Sequence, residues 1–245
     1  MEEIANSEVN AELSGKEEQE SVDLTKARDD VFQTLTREFS CTLGKTTSKA
    51  ERFEKGLNSG SLTYGEVEFL SLVDIFEVIK QDSDAFQEPG GVFVDLGSGI
   101  GKGVIGACLM HQFDRVIGIE ILEGLYTKSC ELKDTYYSLF PRVLEEEGNP
   151  FAFEKMPELE LIHGDFLKGE MEFLKETDFV LANSTCFSEE LMEQLAERLK
   201  EMKKGSWVVT FTKRLPDFET WDSFKTIKKP MTWGMVTVNI HLKVK

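Results

Sequence analysis

Apolar residues recur along this chain with two periods. Leu24, Val31, Leu35 and Phe39 fall at helical spacing, which predicts a helix over residues 23–39. Residues 40–61 are rich in Ser, Thr, Lys and Gly and read as a loop with room for one short helix. Over residues 66–80, Phe69, Leu72, Val73, Phe76 and Ile79 make one helical stripe. After Pro89-Gly90-Gly91 short apolar runs begin to alternate with helical stretches. Strands are predicted at 92–94, 115–120, 159–163, 179–182 and 207–211, and helices at 101–111, 122–140 and 188–204. The last helix has Ser188 as its N-cap, Glu189 and Glu190 at its positive end, Lys200, Lys203 and Lys204 at its negative end, and Gly205 as its stop. Residues 224–228 and 235–244 alternate like a closing antiparallel pair.

Repeated strand and helix imply parallel strands joined by right-handed crossovers. The expected fold is α/β: a doubly wound, mostly parallel sheet behind a helical N-terminal extension. The expected division is an acidic disordered tail over 1–22, the extension over 23–61 and the main domain over 62–245. Sheets of this kind bind ligands beyond the carboxyl ends of their strands, where strand order reverses.

Composition narrows the setting. An apolar fraction of 40% with 18 Phe supports a sizeable core. No run of about 20 apolar residues occurs, and the first residues lack the pattern of a secretory leader. Cys41, Cys108, Cys130 and Cys186 include no C-x-x-C pair, and only three His are present. Neither a zinc site nor a disulfide framework is expected, and an intracellular setting, nucleus or cytoplasm, follows. The net charge is −17; residues 1–23 hold eight acids against one lysine, a net −7, which leaves −10 elsewhere. An acidic surface disfavours direct nucleic-acid binding and attracts basic proteins, or serves solubility alone.

The candidate chemistry begins where the first strand of the alternating region runs into Asp95-Leu96-Gly97-Ser98-Gly99-Ile100-Gly101. The spacing G-x-G-x-G differs from the dinucleotide fingerprint G-x-G-x-x-G, and a carboxylate at the strand end would repel a pyrophosphate. Asp95 suits a cationic group such as an ammonium or sulfonium. Glu120, at the end of the next strand, can accept from ribose hydroxyls. Asp165 can accept from an adenine amino group, and Phe166 can stack on the base. Each acid alone could be a turn or cap; three at successive strand ends beside a glycine loop point to a nucleoside. Asn183, after the fourth strand, can hold an amine through its side-chain oxygen or begin a turn.

With these residues in place, the chain resembles the histone lysine methyltransferases related to disruptor of telomeric silencing, which are non-SET enzymes. The likeness covers roughly residues 62–243. It rests on Thr63-Tyr64-Gly65-Glu66, Phe93-Val94-Asp95-Leu96-Gly97-Ser98-Gly99-Ile100-Gly101, Gly118-Ile119-Glu120, Gly164-Asp165-Phe166-Leu167, Asn183 with Phe187, Met202-Lys203-Lys204-Gly205 and Trp233. The resemblance implies the seven-strand class I methyltransferase fold and S-adenosyl-L-methionine as cofactor. It implies that Tyr64, Gly65 and Glu66 form a lid over the cofactor's methionine part. Asp95, Gly97, Glu120, Asp165 and Phe166 would bind the cofactor, with Ser98, Gly99, Gly101 and Lys102 completing that set. Asn183 would lie beside the transferred methyl, and Phe187 would wall a lysine channel, with Asn183, Tyr64 and Phe187 as the catalytic set. Lys102 stands where the best-known members have Gln. Asn239-Ile240-His241 stands where an aromatic pair is expected to line the channel. No long Lys/Arg-rich segment is present, whereas nuclear members use one on nucleosomal DNA.

The expected function is S-adenosylmethionine-dependent methylation of a protein lysine, histone-type, with a basic protein as partner and neither membrane nor metal involved. Two alternatives stay open: a methyltransferase acting on a non-histone protein or a small molecule, and a cofactor-binding module without catalysis.

Overall fold

The computed structural model describes residues 24–145, 151 and 153–245. The expected tail over 1–22 lies outside them. Seven strands form one sheet: β1 Val92–Leu96, β2 Arg115–Glu120, β3 Glu158–His163, β4 Phe179–Ala182, β5 Trp207–Phe211, β6 Trp221–Met231 and β7 Gly234–Lys243. Their order is β3-β2-β1-β4-β5-β7-β6. Strands β1 to β5 pair in parallel, and β7 is antiparallel to both β5 and β6. Strand order reverses between β1 and β4, so the carboxyl ends of β1, β2 and β4 border one crevice.

The helices are α1 over residues 24–36, α2 Cys41–Glu54, α3 Phe69–Asp82, α4 Lys102–Met110, α5 Glu123–Glu145 and α6 Glu189–Leu199. They cover both faces of the sheet. Phe93 of β1 joins one core with side chains of α1, α3, α4 and α5, while Val92, Val94 and Leu96 join the other with side chains of α6. All five β1 residues are buried. A strand covered on both faces reads as a continuous apolar run, and Asp95 is the one charge in it.

The predicted strands and helices of the alternating region are present, with shifts at their ends. The helix after residue 66 begins only at Phe69, because residues 63–68 run extended into the crevice. Helix α5 continues to Glu145, past Pro141. Strand β6 is an 11-residue strand at the sheet edge; its Lys225, Lys228 and Lys229 suit an edge and hide it from an apolar pattern.

The stretch over 40–61, expected as a loop with room for one short helix, holds a 14-residue helix, α2, which is longer than that expectation. Ser40 caps it, its Oγ accepting from the Leu43 N–H at 3.2 Å. The buried face consists of Gly44, Ser48 and Glu51, at positions i, i+4 and i+7. The helical period is there, but small and polar residues carry it, so a search for apolar residues passes over it.

Candidate active site

A cavity of about 240 Å³ opens at the carboxyl ends of β1, β2 and β4. Its floor is the glycine loop. Gly97, Gly99 and Gly101 have φ of 81°, 57° and 88°, a region that side chains other than glycine enter at a cost. Gly97, Ser98 and Gly99 line the cavity. Gly101 does not: it is the N-cap of α4, and a Cβ there would lie 3.1 Å from Ser129 Cβ of α5. Its role is to let α4 and α5 approach.

Asp95 lines the cavity at 5% exposure. Burial, reinforced by the neighbouring Glu120 charge, pushes its carboxyl up to about 7. Glu120 Oε2 accepts from the Gly99 N–H and Oε1 from the Leu122 N–H, both at 2.8 Å. Burial raises the Glu120 carboxyl also, against the pull of those donors. One side chain thus fixes the glycine loop to the end of β2 and keeps lone pairs free for hydroxyls. Asp165 Oδ1 accepts from the Leu167 N–H at 2.9 Å, and Oδ2 lies 3.2 Å from Lys168 Nζ. Phe166 and Phe187 stack with ring centroids 5.9 Å apart. Phe187 is therefore on the Asp165-Phe166 side of the cavity; its N–H donates to the Ser184 carbonyl at 3.0 Å, and Ser184 Oγ pairs with both the N–H and the carbonyl of Phe211.

Residues 61–67 form the opposite wall. Tyr64 Oη donates to Glu66 Oε1 at 2.7 Å, and Lys102 Nζ pairs with Glu66 Oε2 at 2.9 Å. Asn183 Nδ2 donates to the Gly65 carbonyl at 2.9 Å, which ties the end of β4 to this wall. Trp233 lies against Gly65, where a Cβ would come within 2.7 Å of its ring. Thr232 Oγ1 accepts from the Glu66 N–H at 3.1 Å. Of the sequence-predicted site residues, Tyr64, Gly65, Glu66, Asp95, Gly97, Ser98, Gly99, Lys102, Glu120, Asp165, Phe166, Asn183 and Phe187 all border the cavity. Asn239, Ile240 and His241, expected at the channel, do not. Ile240 is in the core, and Asn239 and His241 are covered by the segment after β5, through Arg214 and Leu215.

Besides Ser61, Leu62, Val67, Leu125, Leu181 and Leu191, sequence reasoning missed Gly103, Ile121 and Leu122 of the lining. The last two directly follow Glu120 and were within reach of the strand-end rule. Gly103 was not, since only the fold shows its approach to Asp95.

Among the described residues lining the cavity, four carboxyl side chains, Glu66, Asp95, Glu120 and Asp165, face one ammonium, Lys102. Ser98 Oγ is buried there with no hydrogen-bond partner. Such a lining opposes a pyrophosphate and suits a ligand with a cationic part, ribose hydroxyls and one anionic group, as S-adenosylmethionine has. No group of His, Cys, Asp and Glu among the described residues is placed to hold a metal, and none of the described helices is long and apolar enough to cross a membrane.

Sheet order, antiparallel β7 and the position of the cavity define a class I methyltransferase fold. A structure from Listeria monocytogenes, described as a class I S-adenosylmethionine-dependent methyltransferase, matches with a TM-score of 0.52 at 12% identity, over 85% of this chain and 70% of that one. A structure reported for conversion of a disulfide bond into a thioacetal group during echinomycin biosynthesis matches with a TM-score of 0.51 at 12% identity, over 81% and 93%. The family model for histone methylation protein DOT1 matches residues 19–236, and the chain belongs to that family. Its relatives include the H3 lysine-79 specific histone-lysine N-methyltransferases of Emericella nidulans, 28% identical over 76% of this chain and 34% of that protein, and of Gibberella zeae, 31% identical over 66% and 30%. The chain spans about a third of the length of these curated relatives.

Proposed function

We propose that this chain is an S-adenosylmethionine-dependent protein-lysine N-methyltransferase acting on a histone, with lysine 79 of histone H3, the residue named for its relatives, as the first target to test. The observation that carries this reading is the cavity itself: acids at three successive strand ends, closed by a wall whose Gly65 carbonyl holds Asn183.

S-adenosylmethionine, when bound, supplies an electrophilic methyl group on a sulfonium. Asp95 and Glu66 offer negative charge to the cationic part of that ligand, Lys102 offers positive charge to its carboxylate, and Glu120 accepts from the ribose. Asp165 and Phe166 take the base, and Ser98 Oγ gains a partner. Asn183 Oδ1 is left to orient the acceptor amine, since Nδ2 is engaged by Gly65. Only a neutral amine is nucleophilic, and a free lysine titrates near 10.4. Apolar walls and a neighbouring cation favour its neutral form. The residues' contribution is then alignment and exclusion of water, with no strong base required.

An acidic protein suits a basic substrate, and a histone substrate places the work at chromatin. The test is a labelled-methyl assay with core histones, nucleosomes and cell extract. Label on H3 supports the reading. Label on another protein or on a small molecule replaces the substrate, and cofactor binding without any label reduces the chain to a binding module.

A further inference from the structure

Helix α2 does not border the cavity, yet it touches Tyr64 of one wall and the start of α5, next in the chain to the Glu120 side. On one side, a Cβ on Gly44 would overlap the Tyr64 ring. A Cβ on Gly99, on the Cε2 side of that ring, would lie 2.7 Å from it. Tyr64 thus sits in a slot between two glycines, one in α2 and one in the glycine loop. One turn further along α2, Ser48 Oγ donates to the Leu62 carbonyl at 3.2 Å.

On the other side, Glu51 meets the start of α5. Its Oε1 accepts from the Glu123 N–H at 3.0 Å and its Oε2 from the Gly124 N–H at 2.7 Å. A carboxylate satisfying the free N–H groups of a first helical turn is favourable in both hydrogen bonding and charge. Lys55 holds Glu51 Oε1 at 2.8 Å. Helix α5 begins directly after Glu120-Ile121-Leu122, three residues that line the cavity. The contacts close a circuit: α2 to α5, α5 to Glu120, Glu120 to Gly99, Gly99 to Tyr64, and Tyr64 back to α2.

We infer that α2 is a positioning element of the site, with Gly44 setting the Tyr64 wall and Glu51 setting the ribose side. The inference rests on the reading of the cavity as a cofactor site, and it gives α2, which precedes the lining residues in the chain, a part in shaping that site.

The test compares wild type, Gly44→Ala, Tyr64→Ala, the double variant, Glu51→Gln and Glu51→Ala. Hydrogen exchange is followed in the ligand-free protein, and calorimetry measures affinity for S-adenosylhomocysteine. Gly44→Ala is expected to speed exchange in residues 61–67 and to weaken affinity, each by about tenfold, with core strands unchanged. In the Tyr64→Ala background the same change is expected to have less than a twofold effect, because no ring remains to displace. Glu51→Ala is expected to speed exchange over residues 121–125, with Glu51→Gln restoring part of it. Exchange that rises equally throughout the core, or an effect of Gly44→Ala that is the same with and without Tyr64, overturns the inference. If Gly44→Ala does not fold, unchanged exchange over 121–125 in Glu51→Ala overturns it on its own. Wild type that binds no S-adenosylhomocysteine removes the cofactor reading, while the exchange comparison still decides the role of α2.

Discussion

Asp95 is a carboxyl group buried at the end of a strand, and its acidity makes the site pH-sensitive. Its ordinary value is near 3.8, and in the ligand-free protein it stands at about 7. Between those values the folded protein binds more protons than the unfolded one, so this group's contribution to stability falls as pH rises across that window. A cationic ligand favours the ionised form and must displace the proton below about pH 7. Affinity for S-adenosylmethionine is therefore expected to tighten as pH rises from 5 to 7, by up to about tenfold per unit, and then to level off; calorimetry across that range checks it. Asp95→Ala is expected to lose cofactor binding, whereas Asn183→Ala is expected to lose turnover more than binding. Measured Kd and kcat on both variants separate the two, and unchanged affinity in Asp95→Ala removes the loop assignment. These residues were legible in the sequence because each follows an apolar run that ends on a polar group. The Tyr64 slot was not, since Gly44 and Gly99 belong to it only through the fold.

The elements place these groups through contacts that single-residue rules misjudge. Gly103 lies in the first turn of α4, where replacing glycine by alanine ordinarily favours a helix by about 1 kcal/mol. Here an added Cβ would overlap Asp95 Oδ2. Gly103→Ala is expected to weaken cofactor affinity by tenfold or more despite the better helix former, as binding measurements on a variant of checked thermal stability would show. The same limit explains α2. Its Gly44, Ser48 and Glu51 repeat at helical spacing but carry no apolar signal, so residues 40–61 read as a loop with room for only one short helix. Strands β1, β2, β4 and β5 were legible because burial on both faces demands continuous apolar runs. Strand β6, at the edge and lysine-bearing, was only half visible.

At the scale of the whole molecule, the net charge of −17 bears on encounter more than on fold. Toward a basic protein substrate, kcat/KM is expected to fall about threefold when ionic strength rises from low to physiological values, with kcat little changed, because screening weakens attraction before contact. Initial rates at several salt concentrations check this, and a fall confined to kcat would speak against steering. The overall architecture followed from the alternation of strands and helices. The position of β7 between β5 and β6 did not, because local sequence patterns do not fix the order of an antiparallel pair at a sheet edge.

The contact of Trp233 with Gly65 has a consequence for synthesis. The two residues are far apart in sequence, and all strands but β7 precede Trp233 in the chain. A growing chain on the ribosome can order β1, β2 and β4, and tie Gly65 to Asn183, well before the tryptophan emerges, yet the outer side of the Gly65 wall stays uncovered until it does. Nascent protein is thus expected to hold its glycine loop early and to become able to retain a small ligand only late, after the β6–β7 hairpin has turned back onto residues made long before it.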